Sequence, residues 1–155
     1  MPNANNGLGT LEVNALRAAF GSQLLAISAW EMIRDQHSFR TMPDQVARLC
    51  GQIYRNTSLP EEHPDRDRLR GAFKSNQVHG TLQLSGVVRG LDELDRLGIP
   101  YLIVKGAAVG VHMKTFGVRR LGDIDVAVSI DDVERAFAAL ADVGFSPKFP
   151  ERWDT

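Results

Sequence analysis

Asp123 and Asp125 stand one residue apart at the head of an apolar run, Gly122-Asp123-Ile124-Asp125-Val126-Ala127-Val128. On a strand, residues i and i+2 share a face, so this spacing predicts two carboxylates side by side with the large aliphatic side chains turned away. Carboxylates held that close repel each other unless a positive charge sits between them. A divalent cation bound by oxygen ligands meets the need, Mg²⁺ or Mn²⁺ with substrate phosphates completing the shell. The plain alternative is a solvated acidic pair, a spacing that 19 acidic residues produce by chance.

The surroundings favour chemistry. Tyr101-Leu102-Ile103-Val104 forms a second apolar run, ends in Lys105-Gly106, and is followed by the small residues Ala107-Ala108-Val109-Gly110-Val111. This order predicts a strand, a glycine turn and a helix whose N-terminal amides face a phosphate. Lys114, Arg119 and Arg120 stand between the two runs, and Arg guanidinium forks suit phosphate oxygens. The alternatives are a surface ion pair for the arginines and a solvent-reaching strand-end lysine for Lys105.

The stretch from Gly98 to Phe145 resembles poorly characterised nucleotidyltransferases of the polymerase-β-like superfamily. Lys105-Gly106, Arg119, Asp123-Ile124-Asp125 and the closing Gly144-Phe145 carry the resemblance. It implies that the Gly-containing turn (Lys105, Gly106) and the following helix hold a nucleoside triphosphate such as ATP, with Arg119 contributing to phosphate binding. It further implies that Asp123 and Asp125 are the catalytic, metal-binding carboxylates, joined by a third on a later strand in a two-metal nucleotidyl transfer to an acceptor the sequence does not disclose.

Two departures qualify this expectation. Gly106-Ala107 stands where better-known members carry Gly-Ser, so a hydroxyl is missing, and the point charge of Lys105 does not reproduce it. Asp154 is the only acidic residue near the distance of the third carboxylate, and Arg152, Trp153 and Thr155 around it make no apolar run. The expectation is therefore a fragment of a longer protein, inactive as 155 residues and prone to self-association through an exposed strand edge. The competing reading is a non-catalytic nucleotide-binding or assembly module of the same fold. Phosphatases of the haloacid-dehalogenase type are disfavoured because their aspartates end an apolar strand. Metal-dependent glycosyltransferases are disfavoured because helices, not a Rossmann-like half, precede this pair.

Composition is that of a globular protein, with 43% hydrophobic and 24% charged residues. A formal net charge of −1 offers no global attraction to nucleic acid or to anionic membrane. The single cysteine, Cys50, excludes an internal disulfide and reads as a buried helix residue. No spanning apolar stretch and no signal-like N-terminus are present, which makes the cytoplasm the default compartment.

The expected architecture is α/β in the α+β sense, a helical N-terminal region followed by a partial β-α-β-α core. Residues 1–9 read as a disordered tail, 10–75 as the helical region and 76–155 as the nucleotidyltransferase-like core. Helical spacing runs from Leu11 to Phe39 with a break at Gly21-Ser22, and resumes at Pro43-Asp44 with Val46, Leu49, Cys50 and Ile53. The stretch from Thr57 to Asp67 reads as a polar loop and internal boundary. A long helix from about Ser75 to Leu97 carries Val87, Val88, Leu91, Leu94 and Leu97 and stops at Gly98. The last helix is expected to be capped by Asp131 with Glu134 in a capping box, to bury Val133, Phe137, Leu140 and Ala141, and to end at Gly144. The four histidines share no ligand spacing; His112, on the helix behind the Lys-Gly turn, reads as a surface residue.

Overall fold

A computed structural model of the chain describes residues 9–148; the expected tail, apart from Gly9, as well as Trp153 and Asp154, lie outside them. The described chain is mostly helical with one small antiparallel sheet, the α+β class expected. The helices are α1 (Thr10–Phe20), α2 (Gln23–Gln36), α3 (Asp44–Ala47), α4 (Cys50–Thr57), α5 (Arg66–Arg96), α6 (Lys105–Met113) and α7 (Val133–Asp142). The strands are β1 (Tyr101–Val104) and β2 (Asp125–Val128), and one 3₁₀ turn, Ile130–Asp132, leads into α7. The chain divides into two compact units: the first takes the chain up to Gly80 together with Thr115–Leu121, and the second takes the remainder.

The first unit is built on small residues. Ala15, Ala18 and Ala19 of α1 are almost fully buried, letting α1 lie close against α2 and α4. Trp30 and Ile33 of α2, Val46, Cys50, Ile53, Leu59 and Leu69 complete this core. Gly21 and Ser22 take extended backbone and separate α1 from α2 where the sequence places the break. The last carbonyls of α1 are satisfied from outside the helix. Gln52 Nε2 donates to Ala19 O at 2.9 Å, and Asn56 Nδ2 donates to Ala18 O and Gly21 O at 3.1 and 3.0 Å. Burial pushes the Cys50 thiol up to about 11, so it is protonated at neutral pH and no nucleophile.

The stretch from Thr57 to Asp67 lies within this unit and contributes a buried carboxylate. Asp65 Oδ2 accepts from Trp30 Nε1 at 3.2 Å and from Arg34 Nε at 2.8 Å. Arg34 also lies over the Phe39 ring, 4.5 Å from its centroid. Helix α5 starts right after Asp65, nine residues before the start expected at Ser75. Its first turns are mostly charged, and only Leu69 is deeply buried there, so the apolar stripe is too thin to be read from sequence.

The second unit packs around Leu94, Ile99, Ala136 and Ala139, with Tyr101, Val126, Val128 and Leu140 against them. Both flanking helices end alike. Ile99 N–H donates to Leu94 O and Gly98 N–H to Asp95 O, while Phe145 N–H donates to Leu140 O and Gly144 N–H to Ala141 O. These are Schellman turns, and both glycines carry the positive φ that the motif requires, +64° at Gly98 and +93° at Gly144. A third glycine serves proximity: a Cβ on Gly90 would stand 2.8 Å from Leu140 Cδ2.

Two expectations for α7 are corrected. Ser129, not Asp131, caps the preceding 3₁₀ turn, its hydroxyl accepting from Asp131 N–H at 3.4 Å. The 3₁₀ turn shifts the start of α7 to Val133 and turns Ala136 and Ala139 inward, leaving Phe137 40% exposed. In α5, similarly, Leu94 is the buried member of the expected stripe while Val88 is exposed.

Replacing Asp65 with Ala strands the indole N–H of Trp30 and the guanidinium of Arg34. We expect a loss of about 1–3 kcal/mol in urea unfolding. Asp65→Asn keeps an acceptor and costs less. Equal losses for the two variants would show that the carboxylate is held by charge alone.

Candidate functional site

The two strands of the second unit pair antiparallel, with Tyr101 opposite Val128, Leu102 opposite Ala127, Ile103 opposite Val126 and Val104 opposite Asp125. Tyr101, Val126 and Val128 pack on the core, whereas Leu102 and Ala127 are exposed. Alternation therefore puts Asp125 on the face away from the core, as its spacing to Val126 and Val128 predicts. The register also sets the end of β1 beside the start of β2. Lys105, one residue beyond Val104, thus reaches a carboxylate 20 positions away: its Nζ lies 3.0 Å from Asp125 Oδ1.

Asp123 is placed differently from expectation. It is exposed and precedes β2, which begins at Asp125, so the strand alternation that pairs the two carboxylates does not extend to it. It nevertheless acts on the same cation. The hydrogen bond that Lys105 donates to Asp125, then the charge of Asp125 and, more weakly, that of Asp123 hold the Lys105 ammonium above the ordinary lysine range. Lys105 is thus charged throughout the physiological range.

The turn after β1 is a second correction. The left-handed conformation falls on Lys105, with φ +56°, and Gly106 has no positive φ. A non-glycine residue in that region places its Cβ against the backbone, and such outliers persist where the surroundings hold them. Helix α6 starts at Lys105, and no side chain caps its N-terminus. Ala107, in the place of the missing serine, is 1% exposed, so its methyl is a packing group. His112 lies in the last turn of α6, at the far end from Lys105, and is exposed.

One contributor is absent from the sequence reading. Gln83, on α5, donates from Nε2 to Gly122 O at 3.0 Å and so holds the residue before Asp123. Its Oε1 is buried without a hydrogen-bond partner. Nothing in the sequence marks this glutamine, because it is one polar residue among many on a long helix and its partner is 39 positions away.

Arg119 belongs to the first unit, in the segment Thr115–Leu121. That segment is seated by glycines: a Cβ on Gly51 would lie 2.3 Å from Gly117 O, and one on Gly117 would lie 2.4 Å from the Phe73 ring. Asn76 Nδ2 donates to Gly117 O at 3.3 Å, and Leu121 is buried. Arg119 and Arg120 themselves are exposed. Lys105, Gly106, Asp123 and Asp125 all belong to the second unit.

The donor chemistry fits a hard cation. Carboxylate oxygens suit Mg²⁺ and Mn²⁺, and Asp125 already holds a positive group. Among the described residues no group of three or more metal-ligating side chains occurs, so Asp123 and Asp125 would supply only part of a shell. Water and phosphate oxygens are the natural complement, because Mg²⁺ usually keeps several such ligands.

A family model described as an uncharacterised nucleotidyltransferase matches residues 42–155, well over half of the chain, and the chain belongs to that family. Neither a curated protein nor a solved structure matches it. No helix among the described residues is long and apolar enough to cross a membrane.

The left-handed turn gives a direct stability test. Glycine occupies this φ without steric cost whereas alanine does not. Lys105→Gly should therefore unfold later than Lys105→Ala, by about 1 kcal/mol in denaturant titration. The reverse order would show that the turn is not left-handed in solution.

Proposed function

We propose that this nucleotidyltransferase-family chain binds a nucleoside triphosphate with Mg²⁺ or Mn²⁺ at Asp123 and Asp125, and that the site serves nucleotidyl transfer. The supporting observation is the closure of the Lys105 turn onto Asp125 by the β1–β2 register, which gathers a cation-holding carboxylate, a lysine and an uncapped helix start in one unit. Asp123 and Asp125 would hold the metal. Lys105 and the first amides of α6 offer charge and donors to phosphate oxygens. When bound, the metal would supply charge stabilisation to the attacking and leaving oxygens. In the transfer itself a nucleophilic atom of the acceptor gives up its proton to solvent and bonds to the α-phosphorus, the bond from that phosphorus to the oxygen bridging to the β-phosphate breaks, and pyrophosphate departs.

A second reading, a nucleotide-binding or assembly module without turnover, draws on one observation: the described residues supply two carboxylates and no third beside them. Two-metal transfer calls for ligands on both sides of the reacting phosphorus. The sheet has two strands among the described residues, so each strand has one edge unpaired by a strand, and this makes self-association part of the same reading.

Calorimetric titration with Mg-ATP and Mg-GTP, alongside incubation with labelled ATP, GTP, CTP and UTP, separates the outcomes. We expect at least about a tenfold loss of affinity, or 1.4 kcal/mol, in an Asp123→Ala, Asp125→Ala double variant. Unchanged affinity in that variant removes the aspartates from the site. Binding without label transfer to any acceptor in cell extract favours the module.

A further inference from the structure

We propose that Lys105 is the resident counter-ion of the carboxylate site, and that its release from Asp125 makes the metal and the triphosphate bind cooperatively. This deepens the reading above and rests on it. Two independent features single out Lys105. Its backbone holds a left-handed φ of +56° while the glycine next in the chain does not, so the strained conformation sits on the residue that carries the charge. Its side chain is 73% exposed and has four flexible carbons, yet the ammonium rests 3.0 Å from Asp125 Oδ1 rather than in open water.

An ammonium and a dication do not share one carboxylate comfortably. Mg²⁺ binds oxygen at about 2.0–2.1 Å and demands a near-octahedral shell. A positive group on the same oxygen both takes up a lone pair the ion would use and repels the ion. The metal alone must therefore displace Lys105 into solvent without giving it a new partner. A triphosphate supplies that partner. Its oxygens attract the released ammonium at the start of α6, while the vacated Asp125 oxygen becomes available to the metal. Each ligand thereby improves the site for the other, and the coupling must be the same in both directions. Gly106, immediately after Lys105, adds no side chain to the first turn of α6.

The counter-ion role makes an unusual prediction: removing a positive side chain next to the carboxylates improves metal binding and impairs anion binding. We would follow Mn²⁺ binding to the full chain by water-proton relaxation, and metal-free inorganic tripolyphosphate binding by calorimetry in chelator. The variants are Lys105→Gln, Lys105→Gly and an Asp123→Asn, Asp125→Asn pair, each checked for native circular dichroism. Both Lys105 variants should bind Mn²⁺ alone about threefold to fivefold more tightly than the parent chain, the range an exposed ion pair permits. Both should bind tripolyphosphate more weakly. Mn²⁺ affinity that is unchanged or lower in Lys105→Gln and Lys105→Gly overturns the proposal, and so does an absence of Mn²⁺ binding in all chains. If Mn²⁺ binding is lost in the aspartate pair but not tightened in the lysine variants, only the counter-ion role falls. If the aspartate pair binds Mn²⁺ as the parent does, the site itself falls and takes the counter-ion with it.

Discussion

The register of two short strands governs the candidate site. Four residue pairs link β1 to β2, ending at Val104 opposite Asp125. A shift by one residue would turn Asp125 toward Leu94 and Ala139 and send Val126 and Val128 into solvent. The apolar side chains that hold the sheet on its core therefore also decide which way the carboxylate points. Lys105 inherits its position from the same pairing, since it is the first residue past the ladder.

The helices flanking the sheet keep that register fixed. Helix α5 delivers Leu94 and, through its Schellman turn, Ile99, so the chain enters β1 with its direction already set. Helix α7 closes the other side with alanines, and the missing side chain of Gly90 permits close approach at Leu140. Arg135 reinforces the arrangement by donating to Leu97 O at 3.2 Å, satisfying a carbonyl beyond the end of α5. Side chains far in sequence thus complete the helix ends in both units, as Gln52 and Asn56 do for α1.

Much of this is legible in the sequence, for identifiable reasons. The apolar runs at Tyr101–Val104 and Val126–Val128 are short, set between Pro100 and Lys105 and between Asp125 and Ser129, and rich in β-branched side chains, so strands are the natural reading. Gly98 and Gly144 announce helix stops because the motif they form needs positive φ. Other features depend on tertiary structure and leave no local mark. The early start of α5 is hidden in a charged stretch whose few inward residues find partners only in the folded unit. The left-handed turn falls on Lys105 although Gly106 is the residue that conformational preference selects. Asp123 lies outside the strand because β1 ends at Val104, opposite Asp125, and gives way to α6, which leaves no ladder partner for residues before Asp125. Gln83 becomes visible only when its amide is seen to hold Gly122 O.

Asp123, Asp125 and the Lys105 turn are proposed to form one cation and triphosphate site. Paramagnetic broadening of the backbone amides of the full chain by Mn²⁺, with a non-hydrolysable nucleoside triphosphate present, tests it most directly. Early and selective loss of the signals from residues 105–107 and 123–125 is the expected result. Broadening that centres elsewhere, for example on the acidic stretch around Glu61 and Glu62, with 105–107 and 123–125 untouched, would contradict it.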